Sequence, residues 1–207
     1  FSLDQSSNEN TEQLIKVMKI MLMTFVAAMV IATRKQINIL IAVCALSMGF
    51  YGVKGGLFTL LTGGSFRVQQ GLGGFISGNN ELGLALVMTI PLMFYLHSIA
   101  PKRWIRIGLL ISALLTGVAT LGTQSRGALV AIAAMGLAFV YRSPNRRKAL
   151  GPFLVIALFV PFFMPESWWE RMDSIINYEQ DASAMGRINA WKLAWNVALH
   201  NLFGGGF

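Results

Sequence analysis

Three observations predict an all-α, polytopic integral membrane protein with about six transmembrane helices. Six long apolar runs follow one another along the chain. The chain is 55% hydrophobic and only 13% charged, against roughly 25% charged in ordinary soluble domains. The polar stretches between the runs alternate in charge. One set holds Arg34 and Lys35, then Lys102, Arg103 and Arg106, then Arg142, Arg146, Arg147 and Lys148, with no acid among them. The other set holds Asp4, Glu9, Glu12, Glu81, Glu166, Glu170, Asp173, Glu179 and Asp181, which are all the acids in the chain. This is the positive-inside pattern, and it predicts basic stretches at the cytoplasmic face and acidic stretches outside. The net charge of +8 sits in short loops beside spans, so anionic membrane lipids are the expected partners and nucleic acid is not.

The spans follow from length, since crossing the hydrocarbon core takes roughly 20 apolar residues, or about 17 with help from the flanks. The first is predicted at 14–33, with Lys16 and Lys19 snorkelling from one end. The second covers 37–53. The third runs from just after Glu81 to residue 99 and carries Pro91, which predicts a kink. The fourth, fifth and sixth fall at 105–121, 128–141 and 150–163, the fifth being the shortest. Cys44 lies inside an apolar run and reads as a buried structural thiol, outside any disulfide framework or metal cluster.

Two outer segments exceed simple turns. Residues 54–80 contain eight glycines and read as a glycine-rich loop, either a flexible connector or a place where backbone approaches a ligand. Residues 165–186 are entered through Trp168 and Trp169, a pair expected to anchor at headgroup level. Beyond them, Ile188, Trp191, Leu193, Trp195, Ala198 and Leu199 predict an amphipathic helix over 187–202. The first thirteen residues are polar and do not read as a signal peptide. The start at Phe1 and the stop at Phe207 read as a single membrane domain, 1–207, cut from a larger protein.

No Gly-x-x-x-x-Gly-Lys loop, Gly-x-Ser-x-Gly elbow or His-Glu-x-x-His motif is present. His97 reads as an interfacial side chain and His200 as helix-end packing. The polar candidates gather on the outer side. They are Arg126 in Gly-Thr-Gln-Ser-Arg-Gly, the trio Asn79, Asn80 and Glu81 at the entrance of the third span, Arg187 ahead of Trp191, and Arg67 in the glycine-rich loop. An arginine between two closely linked spans must be paired, meet an anion or snorkel to the headgroups. The guanidinium fork suits phosphate.

Five stretches in order resemble the O-antigen ligase/polymerase superfamily. They are Gly55-Gly56-Leu57-Phe58-Thr59, Asn79-Asn80-Glu81-Leu82-Gly83-Leu84-Ala85, Ser125-Arg126-Gly127-Ala128, Gly186-Arg187 with Trp191, and His200-Asn201-Leu202-Phe203-Gly204-Gly205-Gly206-Phe207. Within it, the chain is similar to the O-glycosylation ligases associated with exosortase systems. The resemblance implies a GT-C-like helical architecture in the bacterial inner membrane, with the active site facing the periplasm. It implies transfer of a glycan from an undecaprenyl-diphosphate donor to a hydroxyl of a glycan, lipid or protein acceptor, with no metal or other cofactor. It casts Arg126 and Arg187 as the diphosphate-binding pair, with Arg67, Asn79, Asn80 and Glu81 as further substrate-binding candidates. The family's proposed base is a histidine beyond the terminal Gly-x-Gly-Phe, so the catalytic base is unassigned and the piece alone is expected to be inactive. A polymerase with the same donor chemistry is the runner-up, and a flippase or a partner-binding subunit stands behind it. The absence of charge from the cores of the third to sixth spans argues for a one-sided enzyme over a transporter.

Overall fold

The computed structural model describes residues 2–68, 76, 78–143, 165, 166, 168, 169 and 182–200. These contain α1 (Ser2–Val30), α2 (Arg34–Leu61), α3 (Asn79–Ile99), α4 (Arg103–Gly122), α5 (Arg126–Arg142) and α6 (Ala182–His200). Two compact units are present, one of residues 38–176 and one of residues 1–37 with 177–207. The all-helical class is as predicted. Among the described residues, α2, α3 and α4 are long and apolar enough to cross a membrane. At 1.5 Å per residue, the 17 residues of α5 reach about 26 Å, short of a hydrocarbon core of about 30 Å. The expected first span falls within α1 and the loop after it, though that helix already begins in the polar N-terminal stretch, at Ser2. The expected sixth span lies outside the described residues.

In the unit of residues 38–176, α3 is the central helix. Of its most apolar stretch 44% is buried, against 17% for α2. α3 runs unbroken through Pro91. It is antiparallel to α4, since Asn79 at its start meets Thr123 just past the end of α4 and His97 near its end meets Arg106. It is parallel to α5. Gly83 lies against Ala128 near both starts, and Phe94 meets Phe139 edge-on near both ends, with ring centroids 5.6 Å apart. Ala45, Met93, Leu96, Ala100, Leu109 and Ala113 form one apolar cluster, while Leu82, Leu86 and Ala119, with Val68 and Ile76, form another. The first lies toward the α3–α4 hairpin and the second toward Arg126.

α2 begins at a reciprocal capping box. Thr33 Oγ1 accepts the Gln36 N–H at 3.3 Å, and Gln36 Oε1 accepts the Thr33 N–H at 2.9 Å. The helix then continues to Leu61, so residues 54–61, expected as the start of the glycine-rich loop, are helical. The reason is a stripe of small residues. Ala45, Gly49, Gly52, Gly56 and Thr59 recur at 4-3-4-3 spacing and are all buried, which places them on one face. A Cβ at Gly52 would strike the Thr116 side chain, and one at Gly56 the Leu115 carbonyl. Small residues here let two helix backbones approach closely, the usual route to packing inside a membrane. Gly63 and Gly64 end the helix at φ 59° and 72°, and the Gly64 N–H bonds back to Thr59 O at 3.0 Å in a Schellman-type closure.

Two further expectations are corrected. Cys44 is exposed on α2, because the buried face belongs to the small-residue stripe and Cys44 falls one position off it at Ala45. Trp168 is not a headgroup anchor. It is 2% exposed, packed on Leu121 and Leu129.

In the other unit, α6 covers 187–200 of the predicted helical stretch and begins earlier, at Ala182, while residues 201 and 202 lie outside the described residues. Trp191, Trp195 and Leu199 are exposed and four residues apart, so they share a face, while the exposed Leu193 lies off it. His200 Nδ1–H donates to Asn196 O at 2.8 Å, within the last turn of α6, as helix-end packing predicts.

Candidate functional site

The candidate site is built around the connection between α4 and α5. Thr123 closes α4, its N–H bonding Ala119 O at 2.9 Å and its hydroxyl donating to Thr120 O at 2.7 Å. Gln124 stands at φ 52°, a left-handed conformation that side-chain-bearing residues seldom adopt. Ser125 is the N-cap of α5, and its Oγ accepts the Ala128 N–H at 3.2 Å. Arg126 follows as the first residue of α5. All three residues before it are buried, Thr123 at 0%, Gln124 at 7% and Ser125 at 4% exposure. A polar connection is tolerated at such depth only when its groups are satisfied, and each of these is bonded from elsewhere in the chain.

From α3, Asn79 Nδ2 donates to Thr123 O at 3.1 Å, and Asn80 Oδ1 accepts the Ser125 hydroxyl at 2.6 Å. Gly83 lets the turn sit down on α3. A Cβ there would stand 2.7 Å from Ala128 Cβ and 3.0 Å from Thr123 Oγ1. From the segment after α2, Gln124 Nε2 donates to Gly64 O at 3.2 Å, and the Val68 N–H donates to Gly122 O at 2.9 Å. Those two bonds bracket Arg67, which is half-buried. From residue 168, the indole N–H donates to Leu121 O at 3.3 Å.

The structure therefore brings Arg67, Asn79, Asn80 and Arg126 to one end of the bundle, through backbone groups at 64, 68, 122 and 123 and the Ser125 hydroxyl. Asn79 and Asn80 turn out to brace the Arg126 turn. Glu81 stands in the first turn of α3, where a carboxylate complements the helix dipole, and its side chain folds over Gly78, whose own Cβ would collide with it. Arg187 belongs to the other unit, exposed on α6 four residues before Trp191. Gln124, Ser125 and Trp168 are the participants that sequence reasoning missed. The Gly-Thr-Gln-Ser run signals a tight turn, but nothing in it marks Gln124 as a clamp.

Arg126 is half-buried at the N-terminus of α5, whose first turn has no acid. A cation at that end opposes the helix dipole, while an anion there meets both the guanidinium and the first-turn N–H groups. The arrangement suits a phosphate-bearing ligand more than a neutral one. Among the described residues, no three His, Cys, Asp or Glu side chains cluster as a metal site would require.

Residues 111–207 match the O-antigen ligase family (Wzy_C), and residues 4–100 match a family of unknown function (DUF5935). No curated protein and no solved structure matches the chain. The two matched stretches meet at the α3–α4 hairpin, inside a single compact unit. Arg126 lies in the second stretch, and Asn79, Asn80, Gly64 and Val68, which hold its turn, lie in the first. Residues 111–207 are thus an O-antigen ligase (Wzy_C) region, in a chain whose described helices include three of membrane-crossing length.

Proposed function

We propose that this O-antigen ligase-type membrane enzyme transfers a glycan from an undecaprenyl-diphosphate donor to an acceptor hydroxyl, at the periplasmic face of the bacterial inner membrane. The observation that carries the proposal is the Arg126 turn, a buried connection braced from three distant segments that presents an arginine and a helix N-terminus together. In the reaction, the acceptor oxygen forms a bond to the anomeric carbon as the bond from that carbon to the diphosphate breaks. The bonding electrons leave with the diphosphate, and the hydroxyl proton passes to a base. Arg126, with Arg67, receives the charge that develops on the leaving group, and fixed donors of this kind act most strongly where water is excluded. The alternation of basic and acidic stretches supports the periplasmic orientation. The same residues would serve a polymerase, which differs in taking a glycan as acceptor. Membership of the exosortase-associated branch rests on the motif resemblance.

The test is glycan transfer by the intact protein at matched membrane abundance, scoring the lipid-linked donor beside the product. Arg126→Ala is expected to lower transfer by about 100-fold or more, the usual effect of removing one charge-stabilising donor, with donor accumulating on the outer leaflet. Arg126→Lys should recover only part, because an ammonium cannot make the bidentate contact. Unchanged transfer in both variants would reduce Arg126 to a headgroup anchor. Donor held on the cytoplasmic leaflet would indicate a flippase instead.

A further inference from the structure

We propose that Trp169 is a stacking platform for the sugar ring joined to the donor diphosphate, a glycan subsite beside Arg126. This rests on the donor reading above and adds the group that reads the sugar. Trp168 and Trp169 meet edge to face, with ring centroids 4.9 Å apart and planes at 81°. The two rings are in opposite situations. Trp168 is 2% exposed, fixed through its indole N–H to Leu121 O and packed on Leu121 and Leu129. Trp169 is 37% exposed. An anchoring pair at a membrane surface keeps its N–H groups toward the headgroups, whereas Trp168 has its N–H bound inside the protein. Its evident work is to hold its neighbour in place.

The position of that neighbour follows from α5. Leu129 lies three residues after Arg126, so the two share a side of the helix. Trp168, packed with Leu129, therefore lies on the side of α5 that carries Arg126, and Trp169 is one ring contact away from it. A diphosphate held at Arg126 carries its first sugar directly on the second phosphate, so that ring must lie next to the guanidinium. The C–H face of a pyranose is apolar and stacks on an indole. A ring already immobilised by its partner loses little side-chain freedom on contact. Stacking reads the face of the ring and not its hydroxyl pattern, so Trp169 would accept many sugars.

The experiment measures binding of two lipids, undecaprenyl diphosphate and undecaprenyl-diphosphate-linked N-acetylglucosamine, to the intact protein in nanodiscs of phosphatidylethanolamine and phosphatidylglycerol. The wild type is expected to prefer the sugar-bearing lipid by about five-fold, the scale of one aromatic contact. Trp169→Ala and Trp169→Leu should both erase the preference with binding of the bare diphosphate unchanged, while Trp169→Phe keeps most of it. A preference that survives in the alanine or leucine variant overturns the proposal, as does its absence from the wild type. Equal weakening toward both lipids would assign the pair a purely structural role and overturn it too. Failure of the donor reading looks different, because wild type and Arg126→Ala would then bind undecaprenyl diphosphate alike, and no more tightly than undecaprenyl phosphate.

Discussion

α4 is entered through Pro101 and Lys102 and left through Thr123 and Gln124. Both connections are a few residues long and join neighbouring helices, yet the ties that hold them differ in reach. At the entry, His97 Nδ1–H donates to Arg106 O at 2.9 Å and Arg106 Nε donates to Ala100 O at 2.7 Å, across nine and six residues of sequence. Pro101, Lys102, Arg103 and Trp104 are exposed. At the exit, the partners are 44, 45, 47 and 60 residues away, and the connection is buried. A local latch is enough to turn a chain between two helices. Burying polar backbone and holding Gln124 at φ 52° costs free energy that a mere connection could avoid. The difference is explained if the exit must hold what it carries, Arg126, in one position.

The most direct way to break this comparison is to remove the central brace. Ser125→Ala deletes both the cap of α5 and the hydroxyl that Asn80 accepts. A lost N-cap alone costs about 1–2 kcal/mol. Transfer is expected to fall by roughly ten- to a hundred-fold, because small misplacement of a charged group near the reacting atoms is disproportionately harmful. Ser125→Thr keeps the hydroxyl and should recover much of the activity. Thermal unfolding in detergent, measured beside transfer, separates the two effects. If stability falls while transfer holds, the exit is an ordinary connection after all.

Gln124 sharpens the comparison, because there two effects of similar size oppose each other. Gln124→Gly relieves a left-handed backbone, a gain of about 1 kcal/mol, and deletes the side-chain bond to Gly64 O, a loss of about 1 kcal/mol. Stability should therefore stay within about 1 kcal/mol of the wild type. Transfer should still drop several-fold, since the segment bearing Arg67 loses one of its two ties to the turn. A variant with unchanged stability and unchanged transfer would show that Arg67 need not be held there.

How much of this was legible in the sequence depends on the range of the interaction. The helices were readable because apolar length is a property of contiguous residues, and α3, α4 and α5 fall within three residues of where hydropathy put them. The grouping of Arg67, Asn79, Asn80 and Arg126 on one side was readable from charge alternation. What the asparagines do was not. Whether Asn80 faces a ligand or Ser125 is fixed by how α3 packs on the turn, 45 residues away. The end of α2 was misread for a related reason. Gly55 and Gly56 suggest a loop taken alone, and only the recurrence of Ala45, Gly49, Gly52, Gly56 and Thr59 shows a helix face. Trp168 carried no such signal, since a tryptophan after a span is equally at home in headgroups and in a cleft.

The smallest effect is expected at the entry to α4, and it is the control on which the comparison depends. His97→Ala removes the bond to Arg106 O, and Arg106→Gln removes the charged bond to Ala100 O, each within nine residues of sequence. Arg106 is exposed and His97 only half-buried, so water can replace the lost partner and each change should cost no more than about 1 kcal/mol. Neither side chain touches the Arg126 turn, which lies at the opposite end of α4. Transfer at matched membrane abundance should stay within about two-fold of the wild type, since distant sites without shared partners behave additively. A loss at the entry as large as that from Ser125→Ala would mean that α4 carries strain from end to end. The long-range ties at the exit would then describe the stiffness of the whole bundle and not the demands of one arginine.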